Sequence, residues 1–193
     1  MSSTRSQRLF AAVLPPGPAA DELARAVAPL HRLPGAADLR WTARAGWHYT
    51  LAFLGNVDEE LMPELCTRLG RAARRTEPFP LRIRGGGRFD GRALWAGAEG
   101  GLGTLRLLAE RAAAAARKSG IPMEEHRRYT PHLTLARSGA QADLTPYTAA
   151  LEGFEGIWWE AGEIGLVRSD LPVDGVPGEQ PRYEVVRAWP LGR

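Results

Sequence analysis

The chain has 193 residues, 44% of them hydrophobic and 24% charged, with a formal net charge of +3 at pH 7, so it is long and apolar enough to bury one sizeable core. No stretch approaches the ~18 to 20 apolar residues of a membrane helix, Met1 to Gln7 lacks an apolar signal region, and the lone Cys66 excludes an internal disulfide or a cysteine-rich metal site. The modest basic excess is compatible with a polyanionic partner without demanding one.

Residues Met1 to Gln7 read as a disordered tail, and Arg8 to Leu14 as a strand stopped by Pro15 and Pro16. A helix follows over Ala19 to Leu30, with Leu23, Val27 and Leu30 on one face and Pro29 ending or distorting it. After Trp41 comes a strand opening at His48, then a helix from Glu59 to Arg74, N-capped by Asp58, whose Leu61, Leu65 and Leu69 form the core face. Cys66 packs beside them, and Arg71, Arg74 and Arg75 form a solvated helix end. Strands near Leu81 to Arg84 and Ala93 to Ala98 are joined by a loop holding Gly85-Gly86-Gly87. No Gly-Lys-Ser/Thr follows that run, so it reads as a hairpin connection and not as a phosphate cradle.

The second half opens with an Ala-rich helix, Thr104 to Ser119, closed by Gly120. A strand from Pro131, a short helix near Pro146 to Leu151, and strands at Gly162 to Arg168 and Tyr183 to Trp189 complete it. The order strand, helix, strand, strand thus recurs. No Pro/Gly/Ser-rich linker parts the halves, so residues 1–193 read as one domain of two lobes. Trp158 and Trp159 are expected as partly buried packing residues.

One tetrapeptide pattern occurs twice: His48-Tyr49-Thr50-Leu51 and His132-Leu133-Thr134-Leu135. In a strand, residues i and i+2 share a face, so each copy offers a His/Thr pair to a groove and an apolar pair to a core. The copies continue as Ala52-Phe53-Leu54-Gly55 and Ala136-Arg137-Ser138-Gly139, so Phe53 in one is replaced by a cation in the other. Arg137 falls on the opposite nominal face from His132, and a twist or bulge is needed to aim it into the groove. The other two histidines, His31 and His126, read as surface residues.

Two imidazoles facing one cleft supply a base and an acid near neutral pH. That pair suits in-line displacement at phosphorus. The threonine hydroxyls would hydrogen-bond the non-bridging oxygens, and Arg137 would add a charge-assisted contact. Near-symmetric motifs do not distinguish the acid from the base. A metallohydrolase needs three or four convergent ligands, and there is no His-x-His, His-Glu-x-x-His or Asp-rich cluster. A non-catalytic nucleotide-binding module has no need of both histidines.

With Arg8-Leu9-Phe10-Ala11, Tyr129-Thr130-Pro131-His132 and Trp189-Pro190-Leu191 flanking the motifs, the chain resembles the 2H phosphoesterase superfamily, and within it the RNA 2',3'-cyclic phosphodiesterase (2'-5' RNA ligase-like) group. The resemblance implies an α+β fold of two pseudo-symmetric lobes, each an antiparallel sheet with outer helices, around a central cleft. It implies hydrolysis of RNA 2',3'-cyclic phosphate ends to 2'-phosphomonoesters without metal or cofactor, with reversible 2'-5' RNA ligation as an accompanying activity. His48 would be the proton donor to the leaving 3'-oxygen and His132 the proton acceptor. Thr50, Thr134 and Arg137 would bind phosphate, and Phe10 would lie against the base. The rival substrates are a small cyclic nucleotide or ADP-ribose cyclic phosphate. A cytoplasmic monomer acting on RNA ends or related nucleotides is the expected form.

Overall fold

A computed structural model of the protein describes residues 5–124, 128–172 and 179–193. In chain order the elements are β1 (Ser6–Val13), α1 (Gly17–Val27), β2 (Arg40–Trp41), β3 (Tyr49–Asp58), α2 (Met62–Arg74), β4 (Phe79–Phe89) and β5 (Ala93–Gly100). They continue with α3 (Leu102–Lys118), β6 (Leu133–Arg137), α4 (Thr145–Leu151), β7 (Trp159–Ala161), β8 (Glu163–Asp170) and β9 (Arg182–Pro190). The fold is α+β, as expected. One sheet has the order β3-β1-β8-β9 and the other β2-β6-β5-β4-β7, and all their pairings are antiparallel.

Each sheet is built from both halves of the chain. The β4–β5 hairpin follows the first motif but pairs with β6, the second motif strand. The β8–β9 pair follows the second motif but joins β1 and, through it, β3. A single apolar cluster runs through both sheets, from Leu9, Leu23 and Leu65 to Leu105, Leu133 and Leu166. Tyr49 ties the sheets together directly, its buried hydroxyl donating to the Gly97 carbonyl at 2.7 Å. A smaller cluster of Phe10, Ala12 and Val167, with Tyr183 packed against it, covers the other face of the first sheet. That face is the floor of the cleft.

Local expectations are corrected at several points. Ser6 and Gln7 belong to β1, paired with Asp58 and Val57, while Met1 to Thr4 lie outside the described residues. Pro29 distorts the first helix as anticipated: α1 ends at Val27 and a 3-10 turn runs over Ala28–Arg32. Asp58 makes no side-chain capping bond, because a 3-10 turn over Glu59–Leu61 comes between it and α2. Gly120 does close α3 region-wise, with φ +88° just beyond Ser119.

The glycine run is the instructive error. Gly85, Gly86 and Gly87 lie inside β4, and the hairpin turns at Asp90 to Arg92 instead. A Cβ on Gly87 would sit 2.3 Å from the Trp95 indole, and one on Gly86 would sit 2.8 Å from Leu151. These glycines serve close packing by side chains from other elements. The short strands β2 and β7 were not foreseen. Trp159 packs against the core as expected, whereas Trp158 is exposed with the Arg82 guanidinium 4.7 Å above its ring.

Candidate active site

Both motif strands share one local device. His48 and His132 each stand just before their strands, and the next five residues of both copies have the same burial sequence: buried, half-buried, buried, buried, exposed. The register explains it. In β3, Ala12 pairs with Thr50 but Ala11 with Ala52, leaving Leu51 as an extra residue. In β6, Trp95 pairs with Thr134 but Leu94 with Ala136, leaving Leu135 as the extra residue. Each bulge therefore falls on the leucine of the motif and turns the residue two positions on, Phe53 or Arg137, onto the same face as the threonine. The carbonyl of Leu135 is taken by the Thr42 N–H at 2.8 Å. The bulge required to bring Arg137 into the groove is present.

The two strands meet at a cavity of about 300 Å³ whose wall includes His48, Thr50, His132, Thr134, Arg137 and Phe10. All six residues singled out from the sequence are brought together there. The wall also contains Arg8, Thr42, Phe53, Ser169 and Tyr183, which were not singled out. Arg8 was signalled by its place two residues before Phe10, on the same strand face. Tyr183 carried no comparable signal, because β9 reaches the cleft only through its pairing with β8. Among the described residues no three His, Cys, Asp or Glu side chains converge as a metal site.

The two histidines have different surroundings. His48 is sandwiched by aromatics: Phe10 stacks on it with centroids 4.4 Å apart, and Tyr183 meets it edge-on at 5.4 Å. Burial in this wall, with His132 nearby, lowers its pKa from 6.5 to about 4. A Cβ on Gly46 would lie 2.9 Å from the Tyr183 ring, so glycine there lets the tyrosine approach. His132 meets Phe89 edge-on at 4.8 Å, with Trp95 at 6.2 Å. Its Nδ1 is 2.7 Å from the Thr130 carbonyl. A carbonyl only accepts, so Nδ1–H donates and Nε2 carries the free lone pair. Burial lowers this pKa too, the Thr130 contact partly opposes the shift, and the Arg137 charge adds to it.

His31, expected at the surface, is exposed and packs on Trp41 at 4.1 Å between ring centroids. His126 lies outside the described residues.

Two imidazoles and two guanidiniums, with the Thr50 and Thr134 hydroxyls, share one small cleft, an arrangement able to receive an anion and to move a proton. Two antiparallel lobes that each bring a His-x-Thr strand to a shared cleft define the 2H phosphoesterase class. The chain belongs to the LigT like Phosphoesterase family, which it matches over residues 13–95 and 97–177, one motif in each segment. It is 35% identical over 158 residues to an RNA 2',3'-cyclic phosphodiesterase of Thermus thermophilus, covering 75% of this chain and 71% of that protein. An Aquifex aeolicus protein of the same name is 28% identical over 160 residues, covering 79% of this chain and 82% of the relative. The crystal structure of E. coli LigT complexed with 3'-AMP superposes with a TM-score of 0.78 at 25% identity, over 98% of this chain and all of the other (100%).

Proposed function

We propose that this protein is an RNA 2',3'-cyclic phosphodiesterase, hydrolysing cyclic phosphate ends to 2'-phosphomonoesters without metal or cofactor. The observation that carries the reading is the convergence of both His-x-Thr pairs and Arg137 on one cleft, and the names of the relatives agree with it. His132 is the base, which accords with its Nδ1–H being held by Thr130 and its Nε2 being free. It takes a proton from water as the water oxygen bonds to phosphorus. The bond from phosphorus to the 3'-oxygen breaks, and His48 gives its proton to that oxygen. His48 is neutral in the free protein at pH 7, given its value of about 4. The phosphodiester anion raises that value and so loads the acid on binding.

Thr50 and Thr134 donate to the non-bridging oxygens, Arg137 supports the growing charge, and Phe10 offers an apolar surface to the terminal base. In ligation a 5'-hydroxyl takes the place of water, and the reversal of that step exchanges the two histidine roles. The same reading takes residues 1–193 as one domain and the protein as a cytoplasmic monomer, with light scattering as the check on assembly. Among the described residues no helix is long and apolar enough to cross a membrane.

The deciding experiment incubates the protein, in excess EDTA, with an oligoribonucleotide ending in a 2',3'-cyclic phosphate and resolves the terminal isomer. A 2'-phosphate, absent with His48→Ala and with His132→Ala, is the expected result. An untouched oligonucleotide beside a hydrolysed cyclic mononucleotide would transfer the activity to small substrates. Loss of turnover in EDTA, restored by a divalent metal, would overturn the metal-free mechanism.

A further inference from the structure

The cleft is large enough for a nucleotide terminus, so the rest of any RNA chain must lie outside it. A second concentration of positive charge surrounds the last two turns of α2. On one side a groove of about 280 Å³ between α2 and α3 is lined by Arg68, Arg71, Arg75, Arg111 and Lys118. On the other a groove of about 520 Å³ against the end of β9 is lined by Arg74, Arg187 and Arg193, with Thr67 and Trp189. Neither wall contains an Asp or Glu.

Two of these cations are engaged within the protein. Arg68 pairs with Glu64 at 2.6 Å, and Arg111 donates to the Arg75 carbonyl and the Thr76 hydroxyl at 2.6 and 2.7 Å. The other six, Arg71, Arg74, Arg75, Lys118, Arg187 and Arg193, are exposed and in no ion pair among the described residues. Two carboxylates stand at the margin: Glu64, taken up by Arg68, and Glu77, beside Gly192.

A helix dipole favours cations at a C-terminus, which accounts for the arginines of α2 alone. Lys118 ends α3 yet shares its groove with Arg68 and Arg71, because α3 runs opposite to α2, with Arg111 at the end of α2. Arg187 comes from a strand, and a bulge sets its side. Val185 pairs with Val167 on the cleft floor, but Arg187 pairs with Leu166 on the core face, leaving Val186 extra. Strand β9 therefore passes from the cleft at Tyr183 to the basic groove at Arg187 within four residues, a span of about 13 Å at ~3.3 Å per residue.

We propose that this belt is a sequence-independent site for the sugar-phosphate backbone of RNA upstream of the reactive end, which makes a polynucleotide the preferred substrate class. The proposal rests on the reading of the cleft as the catalytic site. Unpaired cations on α2, α3 and β9 and on the segment after β9 match repeated phosphates, and a single small anion would use only a fraction of them.

The test is the triple variant Arg71→Glu/Arg74→Glu/Arg187→Glu, with the corresponding Gln triple as a milder second variant. Each is assayed on a cyclic-phosphate oligoribonucleotide long enough to span both sites and on a nucleoside 2',3'-cyclic phosphate. KM for the oligonucleotide is expected to rise about tenfold or more while the mononucleotide constants hold. The slope of log affinity against log salt should fall by about 2, from three contacts at about 0.7 each on a single strand. Equal effects on both substrates, or none on either, would overturn the belt. Fluorescence anisotropy of a 3'-phosphorylated oligonucleotide reads the belt without turnover. A wild type that hydrolyses neither substrate sinks the catalytic reading, whereas unchanged anisotropy in the Glu triple sinks the belt alone. Wild-type protein that prefers anionic phospholipid vesicles to the oligonucleotide also overturns it.

Discussion

The two halves of the cleft begin from the same tetrapeptide pattern, the same bulge and the same burial sequence, and they end as unlike environments. Around His48 the wall is aromatic: Phe10 stacks on it and Tyr183 meets it edge-on, with Phe53 behind Phe10 at 5.7 Å between ring centroids. Around His132 there is a backbone acceptor fixing Nδ1, and a cation, Arg137, where the other half has Phe53. A symmetric scaffold thereby yields two histidines in different surroundings, both held below the ordinary value by burial. Neighbours set the difference between the two imidazoles, and the motif itself does not.

The most severe way to break the comparison is to remove either imidazole. His48→Ala and His132→Ala are each expected to lower kcat by ~10² to 10⁴-fold, as loss of general acid or base catalysis does. Single-turnover rates on a cyclic-phosphate oligonucleotide measure it, and a loss of only a few-fold in either would contradict the paired mechanism. Making the halves alike is the next step down. Arg137→Phe reproduces the first copy in the second and should cost about 10² to 10³-fold in kcat/KM, in line with removing one charge-stabilising donor. A variant that keeps wild-type kcat/KM would deny Arg137 its phosphate contact.

A third test sharpens the contrast through pH. The folded value of His48 is about 4 against an ordinary 6.5, so between those values the unfolded chain binds more protons and stability rises with pH. The contribution is full above 6.5 and is lost as pH falls toward 4. It amounts to on the order of 3 kcal/mol for an isolated group. Urea denaturation across that window should show the slope, and His48→Gln should flatten it. An unchanged slope in that variant would place the titration elsewhere.

The smallest effect is expected at the glycines that admit the aromatic walls. Gly87→Ala drives a Cβ into Trp95 and should destabilise by about 1 to 3 kcal/mol as an overpacking change. It should slow turnover only a few-fold, through the neighbouring His132. Thermal unfolding beside kinetics separates the two readouts. A variant as stable as wild type would mean that the indole moves freely.

The sequence alone determined the period-two alternation of the motif strands, the amphipathic faces of the helices, and the doubled motif with its two histidines and two threonines, whereas Phe10 came from the family resemblance and Arg137 needed the bulge to face the cleft. These follow from spacing along one segment, which chemistry near in the chain dictates. It did not disclose that each hairpin completes the sheet of the opposite motif, because strand partners are chosen by long-range pairing. For the same reason it misread Gly85 to Gly87 as a turn: Gly86 and Gly87 make room for Leu151 and Trp95, which arrive from other elements, and Gly85 is the positive-φ residue of a bulge in β4. Tyr183 reaches His48, and Arg187 leaves the cleft for the α2 face, only through the register of β9 on β8. Tertiary structure also decided that one imidazole is stacked on a phenylalanine while the other, also beside aromatic rings, is tethered to a carbonyl. Protonation depends on desolvation and on hydrogen-bond partners brought in from distant parts of the chain.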